Sequence, residues 1–452
     1  MKTYIREIGA EKNEFFLILV HLGLGVAIFF VPFLSMIISS IIAFYALFKI
    51  IKFRDLNHQA LLYGAYMAGA EVLFRMSKGL LLYEFCKYLV ILFFLVGIIY
   101  RQIAKSSIIY ILYLVLLVPG IFISIMGLEV GLDVRKAIAF NLAGPVCLGL
   151  AAIYCYDRKI NYIFLNRMLF YFLLPIVSIT VYLFLYTPDL QDVITNTESN
   201  SYTSGGYGPN QVSTILGLGM FICIIRFFLF SQNMFWKILN ALLFIIISYR
   251  GLLTFSRGGF LSALIMIAVF VFFLYIFSNA ERKARIIVIG MFGFIMIAGV
   301  WTYTVIVSKG LIENRYTNKN RLGQEEEDFT SGRLEILGSE LEAFYENPLL
   351  GIGVGNNKSY RISTTGINAP SHNEITRILS EHGFLGITAF MIIFFTPLFR
   401  YLNYHRNVFM FSFFLFWFLT INHSAMRIAA PAFVYGLTLL TISSEKTIVH
   451  RK

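Results

Sequence analysis

Apolar runs of seventeen to twenty-odd residues recur along almost the whole of this 452-residue chain. Each is long enough to cross a hydrocarbon core about 30 Å thick as a helix, the form in which one segment satisfies all its own backbone polar groups in lipid. A membrane barrel needs alternation instead of continuous runs. With 58% hydrophobic and 14% charged residues, the chain is too apolar for a soluble fold. The fold class expected is all-α, a polytopic integral membrane protein with about 12–14 transmembrane helices.

The stretch from Phe15 to Ile51 is too long for one span and contains Pro32, so two helices are expected to meet there. Further spans are read at Leu61 to Arg75, Leu81 to Tyr100, Ser107 to Met126, Ala137 to Tyr156, Met168 to Tyr186, Val212 to Phe230, Ile238 to Phe255, Gly258 to Phe277 and Ile286 to Val307. Three more follow a mostly polar insert: Gly383 to Phe399, Val408 to about Asn422, and Ile428 to Ile442. The organisation expected is an N-terminal bundle over 1–305 with an outer loop at 187–211, a large loop over 306–381 carrying an amphipathic helix, and C-terminal spans over 382–452. Lacking a small-residue cleavage site after its charged start, the first span is expected to act as the insertion signal.

Lys and Arg in the short connections set the orientation. Lys49, Lys52, Arg54, Arg101, Lys105, Arg158, Lys159, Arg282, Lys283, Arg400 and Lys446 all fall on one side of the expected topology. By the positive-inside tendency that side is cytoplasmic, with both termini inside and the insert outside. The net charge of +12 is scattered singly at helix ends, which argues against nucleic acid as a partner and for membrane lipids. Cys86, Cys147, Cys155 and Cys223 lie inside apolar runs without metal-ligand spacing. They read as small packing residues, with no disulfide, metal or cofactor expected.

The informative cations lie on the other side. Arg75, Arg135, Arg257 and Arg427 map to outer helix ends, and the insert adds Arg333, Arg361 and Arg377. Arg holds phosphate oxygens in a fixed bidentate geometry, so such a ring suggests an anionic headgroup, and a lipid-linked diphosphate fits. The alternative is that each arginine pairs with a carboxylate. For Arg75 this is strong, because Glu71 lies one turn earlier. Arg257 has no acidic residue nearby in sequence and precedes Gly258 and Gly259, which allow another backbone or a ligand to come close.

Within the insert, Thr330 or Ser331 is a plausible N-cap, and Leu334, Leu337, Leu341 and Phe344 repeat at helical spacing up to Asn347-Pro348. That helix is expected to lie along the membrane surface. Arg333 sits in its first turn, against the helix dipole, where a bound anion or one of the acids at 325–328 would compensate it. Gly351, Gly353 and Gly355 match no nucleotide-binding spacing and read as a tight return. Ser371 and Glu374 match a capping box for the next helix, which puts His372 at its first position, where the dipole favours a neutral ring able to act as a base.

These residues resemble the bacterial O-antigen ligase and O-antigen polymerase superfamily. The resemblance rests on SRGG at Ser256 to Gly259, GRLEIL and ENPLLGIGVGNN around Arg333 to Asn357, SHNE at Ser371 to Glu374, and GFLG at Gly383 to Gly386, with ten residues between His372 and Gly383. EVLFRM from Glu71, YEFCKY from Tyr83, FNLAGP from Phe140 and GPNQ from Gly208 resemble a ligase-like branch. The resemblance implies a metal-independent, GT-C-like membrane glycosyltransferase of lipopolysaccharide biosynthesis, acting on the outer face of the inner membrane. It implies an undecaprenyl-diphosphate-linked glycan as donor and a hydroxyl acceptor, lipid A-core for a ligase. Carried onto matching positions, Arg257 and Arg333 would hold the donor diphosphate and His372 would take the acceptor proton, with Arg75, Arg135, Asn210 and Asn373 as further candidates. A polymerase or a protein O-oligosaccharyltransferase of the same superfamily remains open, as does a flippase, although transporters usually place charge near the midplane and show paired halves.

Overall fold

Pro32 has no N–H to give and its ring crowds the preceding turn, so α1 (Lys2–Phe30) ends before it and α2 (Phe33–Lys52) begins after it. The computed structural model describes residues 2–127, 134–187, 196–199, 201–326, 332–403 and 408–443. The chain continues through α3 (Gln59–Met76), α4 (Phe85–Tyr100), α5 (Ile108–Leu116), α6 (Val118–Gly127), α7 (Val134–Cys155), α8 (Tyr162–Tyr186), α9 (Pro209–Ile225), α10 (Met234–Leu252), α11 (Arg257–Ile276) and α12 (Ala280–Val307). The insert supplies α13 (Leu311–Tyr316), α14 (Arg333–Glu346) and α15 (Asn357–Thr365), and the chain closes with α16 (Glu374–Tyr401), α17 (Met410–His423) and α18 (Ala429–Leu437).

The fold is all-α apart from a parallel pair of three-residue strands, β1 (Lys159–Asn161) and β2 (Thr441–Ser443). Among the described residues, ten helical segments are long and apolar enough to cross a membrane, and α4 and α17 are shorter apolar helices. The expected span at Leu61 to Arg75 is α3, in which 16 of 18 residues are buried. The expected last span is the nine-residue α18, which runs on into β2.

Burial separates centre from rim. In α8 the most apolar window is 78% buried, against 11% in α12. Small residues let the central helices approach closely, as membrane packing requires. A Cβ at Gly69 of α3 would lie 2.7 Å from the Phe172 carbonyl oxygen of α8, and one at Gly217 of α9 would lie 2.5 Å from that of Gly259 in α11.

In the insert, α14 turns Ile336, Ser339, Glu340 and Ala343 inward, while the apolar stripe begun by Leu334 stays wholly or partly exposed. An exposed apolar stripe on an otherwise polar helix is suited to a bilayer surface. Its expected cap at Thr330 or Ser331 lies outside the described residues. The tight return at Gly351, Gly353 and Gly355 is observed, each with φ between 72° and 88°. It docks on α16: Ile352 N donates to the Ser380 carbonyl at 2.9 Å and Gly353 N to that of Glu381 at 3.2 Å. Both contacts depend on a break in α16 at Gly383 (φ 58°, ψ −138°), a conformation only glycine takes without strain.

Candidate active site

The SRGG segment is where α9, α11 and α17 converge. Ser256 Oγ donates to Asn210 Oδ1 at 2.8 Å, and Asn210 Nδ2 donates to the His423 carbonyl at 3.5 Å. His423 Nδ1 donates to the Leu419 carbonyl at 2.8 Å, and its Nε2 lies 3.3 Å from Thr214 Oγ1. The two glycines make room for these neighbours. A Cβ on Gly258 would lie 2.4 Å from the His423 ring, and one on Gly259 would lie 2.3 Å from the Ser213 backbone. The close approach expected after Arg257 is therefore made by an imidazole and by a helix backbone. Asn210, a site candidate from sequence, is the tie between these elements.

Arg257 opens α11 and donates from Nη1 to the Arg315 carbonyl at 3.3 Å, while Arg315 Nε donates to the Phe255 carbonyl at 3.2 Å. Arg333 opens α14. Burial and the nearby Arg257 charge lower the Arg333 pKa. For Arg315 the causes are burial, then Arg257 and Arg333, opposed by Glu326 and Glu198. Three guanidinium groups from separate segments thus crowd one region of the face that carries the insert. Among the described residues Arg333 makes no ion pair with Glu325 or Glu326; Glu327 and Asp328 lie outside them.

His372 stands near one member of this group, Arg333, and near Arg427 and Arg361. Burial, then the charges of Arg427, Arg333, Arg361 and His423, pull its pKa from 6.5 down to about 4, so the imidazole is neutral at neutral pH. Its position differs by two residues from the expected capping box. Asn373 is the N-cap, accepting from Ile375 N at 2.8 Å and Thr376 N at 3.4 Å, and it donates to Asn422 Oδ1 at 3.2 Å. The Ser371 hydroxyl accepts instead from Arg361. His372 therefore precedes the cap, and Glu374 pairs with Arg377 and accepts from Met426 N.

The remaining arginines assigned from sequence to the outer side divide. Arg75 lies 2.7 Å from Glu71 and 3.3 Å from Glu84 in a buried network with Lys87, so its pairing is structural. Arg361 is paired with Glu340 at 2.7 Å, and Arg377 with Glu374 and Glu381. Arg135 is exposed at the start of α7. Arg250 is buried against Phe184, its Nε and Nη2 without partners among the described residues. Arg427 donates to the Ser371 carbonyl and so borders His372. Two members of the site were missed in the sequence: Arg315, which lies in the short α13 of the insert, and His423, which closes the α17 run. Among the described residues no group of three or more His, Cys, Asp or Glu side chains is arranged to hold a metal ion.

The fold and this site define a class: a multi-pass α-helical membrane protein with a guanidinium-lined site and a neutral imidazole at the insert face. Residues 242–391 match the family model described as O-antigen ligase, a stretch that contains Arg257, Arg315, Arg333, His372 and Gly383. The match supports the O-antigen ligase superfamily for this chain, and with it a ligase- or polymerase-like function of the membrane glycosyltransferase type. No curated protein matches the chain.

Proposed function

We propose that this protein is an O-antigen ligase-like, metal-independent glycosyltransferase of the bacterial inner membrane. It moves a glycan from undecaprenyl diphosphate to an acceptor hydroxyl, such as one on lipid A-core, at the periplasmic face. The observation that carries this reading is the setting of His372, a neutral imidazole beside guanidinium groups contributed by separate segments. The Lys and Arg residues of the short connections support cytoplasmic termini and a periplasmic insert.

In the reaction the acceptor oxygen attacks the anomeric carbon. The bond from that carbon to the diphosphate breaks, its electron pair leaving on the diphosphate, and the hydroxyl proton passes to His372. Arg257, Arg315 and Arg333 take up the charge that grows on the leaving group, in a site where fixed cations act strongly. An imidazole titrating near 4 is a weak base while the site is empty. Burial is the larger cause of that lowering; the incoming diphosphate offsets the smaller part due to the cations, so the base strengthens when the donor binds.

The test is transfer of a labelled glycan from carrier to acceptor by the purified full chain, without an ion gradient. His372→Ala should lower transfer by about 100-fold or more, the scale of general-base catalysis, and leave donor binding intact. Full transfer by that variant rejects the assignment. In cells, deletion should leave polymerised glycan on the carrier and none on lipid A; shortened polymer would instead indicate a polymerase.

A further inference from the structure

Beside the His372 loop lies a cavity of about 170 Å³, and Arg257, Arg315 and Arg333 are not among its lining residues. Its walls come from α7 (Phe140, Asn141), the start of α15 (Asn357, Lys358), the histidine loop (Ser371) and Arg427. At about 30 Å³ per water it holds on the order of five waters, the bulk of one sugar ring.

Asn357 is the informative residue. It is 4% exposed, lines the cavity, and neither its Nδ2 nor its Oδ1 has a hydrogen-bond partner among the described residues. Each such buried group left unpaired costs about 1–3 kcal/mol, so a ligand that supplies both a donor and an acceptor is favoured there. The charges at the floor are already committed. Glu374 and Glu381 flank Arg377, Glu374 also accepts from Met426 N, and Glu381 also accepts from Gly355 N at 2.9 Å. Arg427 lies over the Phe140 ring at 5.6 Å and donates to Ser371. What remains is the unused Asn357 amide, beside the exposed Lys358 and a Phe140 wall that already packs against Arg427 and Tyr83.

We infer that this cavity binds a pyranose ring, with a pair of neighbouring hydroxyls on the Asn357 amide. An amide presents one donor edge and one acceptor edge side by side, which a vicinal diol matches and a diphosphate does not. Ser371, which precedes His372, and Arg427, the foremost charge acting on that imidazole, both line the cavity, so a ring held here lies alongside the histidine loop. The inference rests on the transferase reading for the source of the sugar, which is either the acceptor glycan or the donor glycan; the cavity's chemistry is the same for both.

The test uses the full chain in detergent and a panel of free pyranoses (glucose, galactose, N-acetylglucosamine and rhamnose) at millimolar concentration, with inorganic pyrophosphate as a separate ligand. At least one pyranose should raise the Tm of the wild type. Asn357→Leu should abolish that rise or weaken the affinity at least about tenfold, while the rise with pyrophosphate is retained. Because the substitution removes an unpaired buried amide, its ligand-free Tm should not fall; if it fails to fold, Asn357→Ser serves as the second variant. In the transfer assay a raised KM for acceptor with an unchanged KM for donor assigns the ring to the acceptor, and the reverse assigns it to the donor. No response of the wild type to any pyranose, or an undiminished response in the variants, overturns the inference. If His372→Ala retains transfer while the pyranose response still depends on Asn357, the catalytic assignment fails and the sugar pocket stands.

Discussion

Arg257 donates from Nη1 to the carbonyl oxygen of Arg315 at 3.3 Å, so the cation that opens α11 is fastened to the segment carrying a second cation. Arg315 in turn reaches back to the Phe255 carbonyl at 3.2 Å. Like charges are held together here by backbone acceptors, an arrangement that favours an anion between them. Arg315→Gln should weaken binding of a lipid diphosphate or of pyrophosphate about tenfold or more, the range for losing a charge-assisted hydrogen bond. Arg315→Lys should recover part of the loss and make binding more sensitive to salt. Calorimetric titration of the purified protein measures both; unchanged affinity in Arg315→Gln removes this residue from the anion site.

The pH profile should separate the empty from the loaded site. His372 has its pKa lowered, so the neutral, proton-accepting form prevails above about 4 in the free protein and is lost below it. kcat/KM, which reports the free protein, should therefore fall only as the pH drops through about 4. With the diphosphate bound the imidazole pKa rises, and kcat should begin to fall at a higher pH. Arg333→Ala removes one of the depressing charges and should shift the kcat/KM limb upward, toward the ordinary value of 6.5. Coincident limbs for the two parameters would contradict the coupling between donor charge and base strength.

The Arg361–Glu340 pair is a stability element next to the site. Both side chains are buried, 2.7 Å apart, and Ser339, Ser371 and Thr376 hydrogen-bond to one or other of them. Glu340→Ala leaves a buried guanidinium uncompensated and should destabilise the fold by about 3–5 kcal/mol, and Arg361→Met should strand the carboxylate in the same way. The double variant should be milder than the sum of the two. A double-mutant cycle on thermal unfolding in detergent gives the comparison, and additive losses would show that the pair is not coupled.

The glycines after Arg257 should differ in what they tolerate. Gly259→Ala drives a Cβ to 2.3 Å from the Ser213 backbone and must part α9 from α11. Gly258→Ala meets the His423 ring at 2.4 Å, a side chain able to turn. The first should cost about 1–3 kcal/mol or more and lower the Tm in detergent. The second should cost less stability while lowering transfer. Equal Tm values for the two variants would show that α9 and α11 yield more readily than their spacing implies.

Much of the architecture was legible because bilayer thickness sets span length, and Pro32 divides its run for a backbone reason that holds in any fold. Which helices are central was not legible, since α8 and α12 are both long and apolar but sit at opposite extremes of burial. Pairing followed the same division. Glu71 with Arg75 could be read from helical spacing, whereas Glu340 and Arg361 lie on two different helices of the insert. The cap before α16 slipped from Ser371 to Asn373 because both side chains are able to cap, and Arg361, arriving from α15, engages the serine. Arg315, in the short polar α13, carries no local pattern, and His423 none beyond its place at the end of an apolar run.

The interruption of α16 at Gly383 has a mechanical consequence. Above it, the turns that follow His372 are stitched by Ser380 and Glu381 to the Gly351–Gly353 return; below it, the same helix lies among the spans. The first residue below the break is fastened to the same return, Phe384 N donating to the Pro348 carbonyl at 2.8 Å, so tilting of the lower half to match a thicker or thinner bilayer acts beyond that tie. The turns that follow His372 thereby keep their register with the insert, so lipid composition should alter the seating of α16 beyond Phe384 more than that of the proposed base.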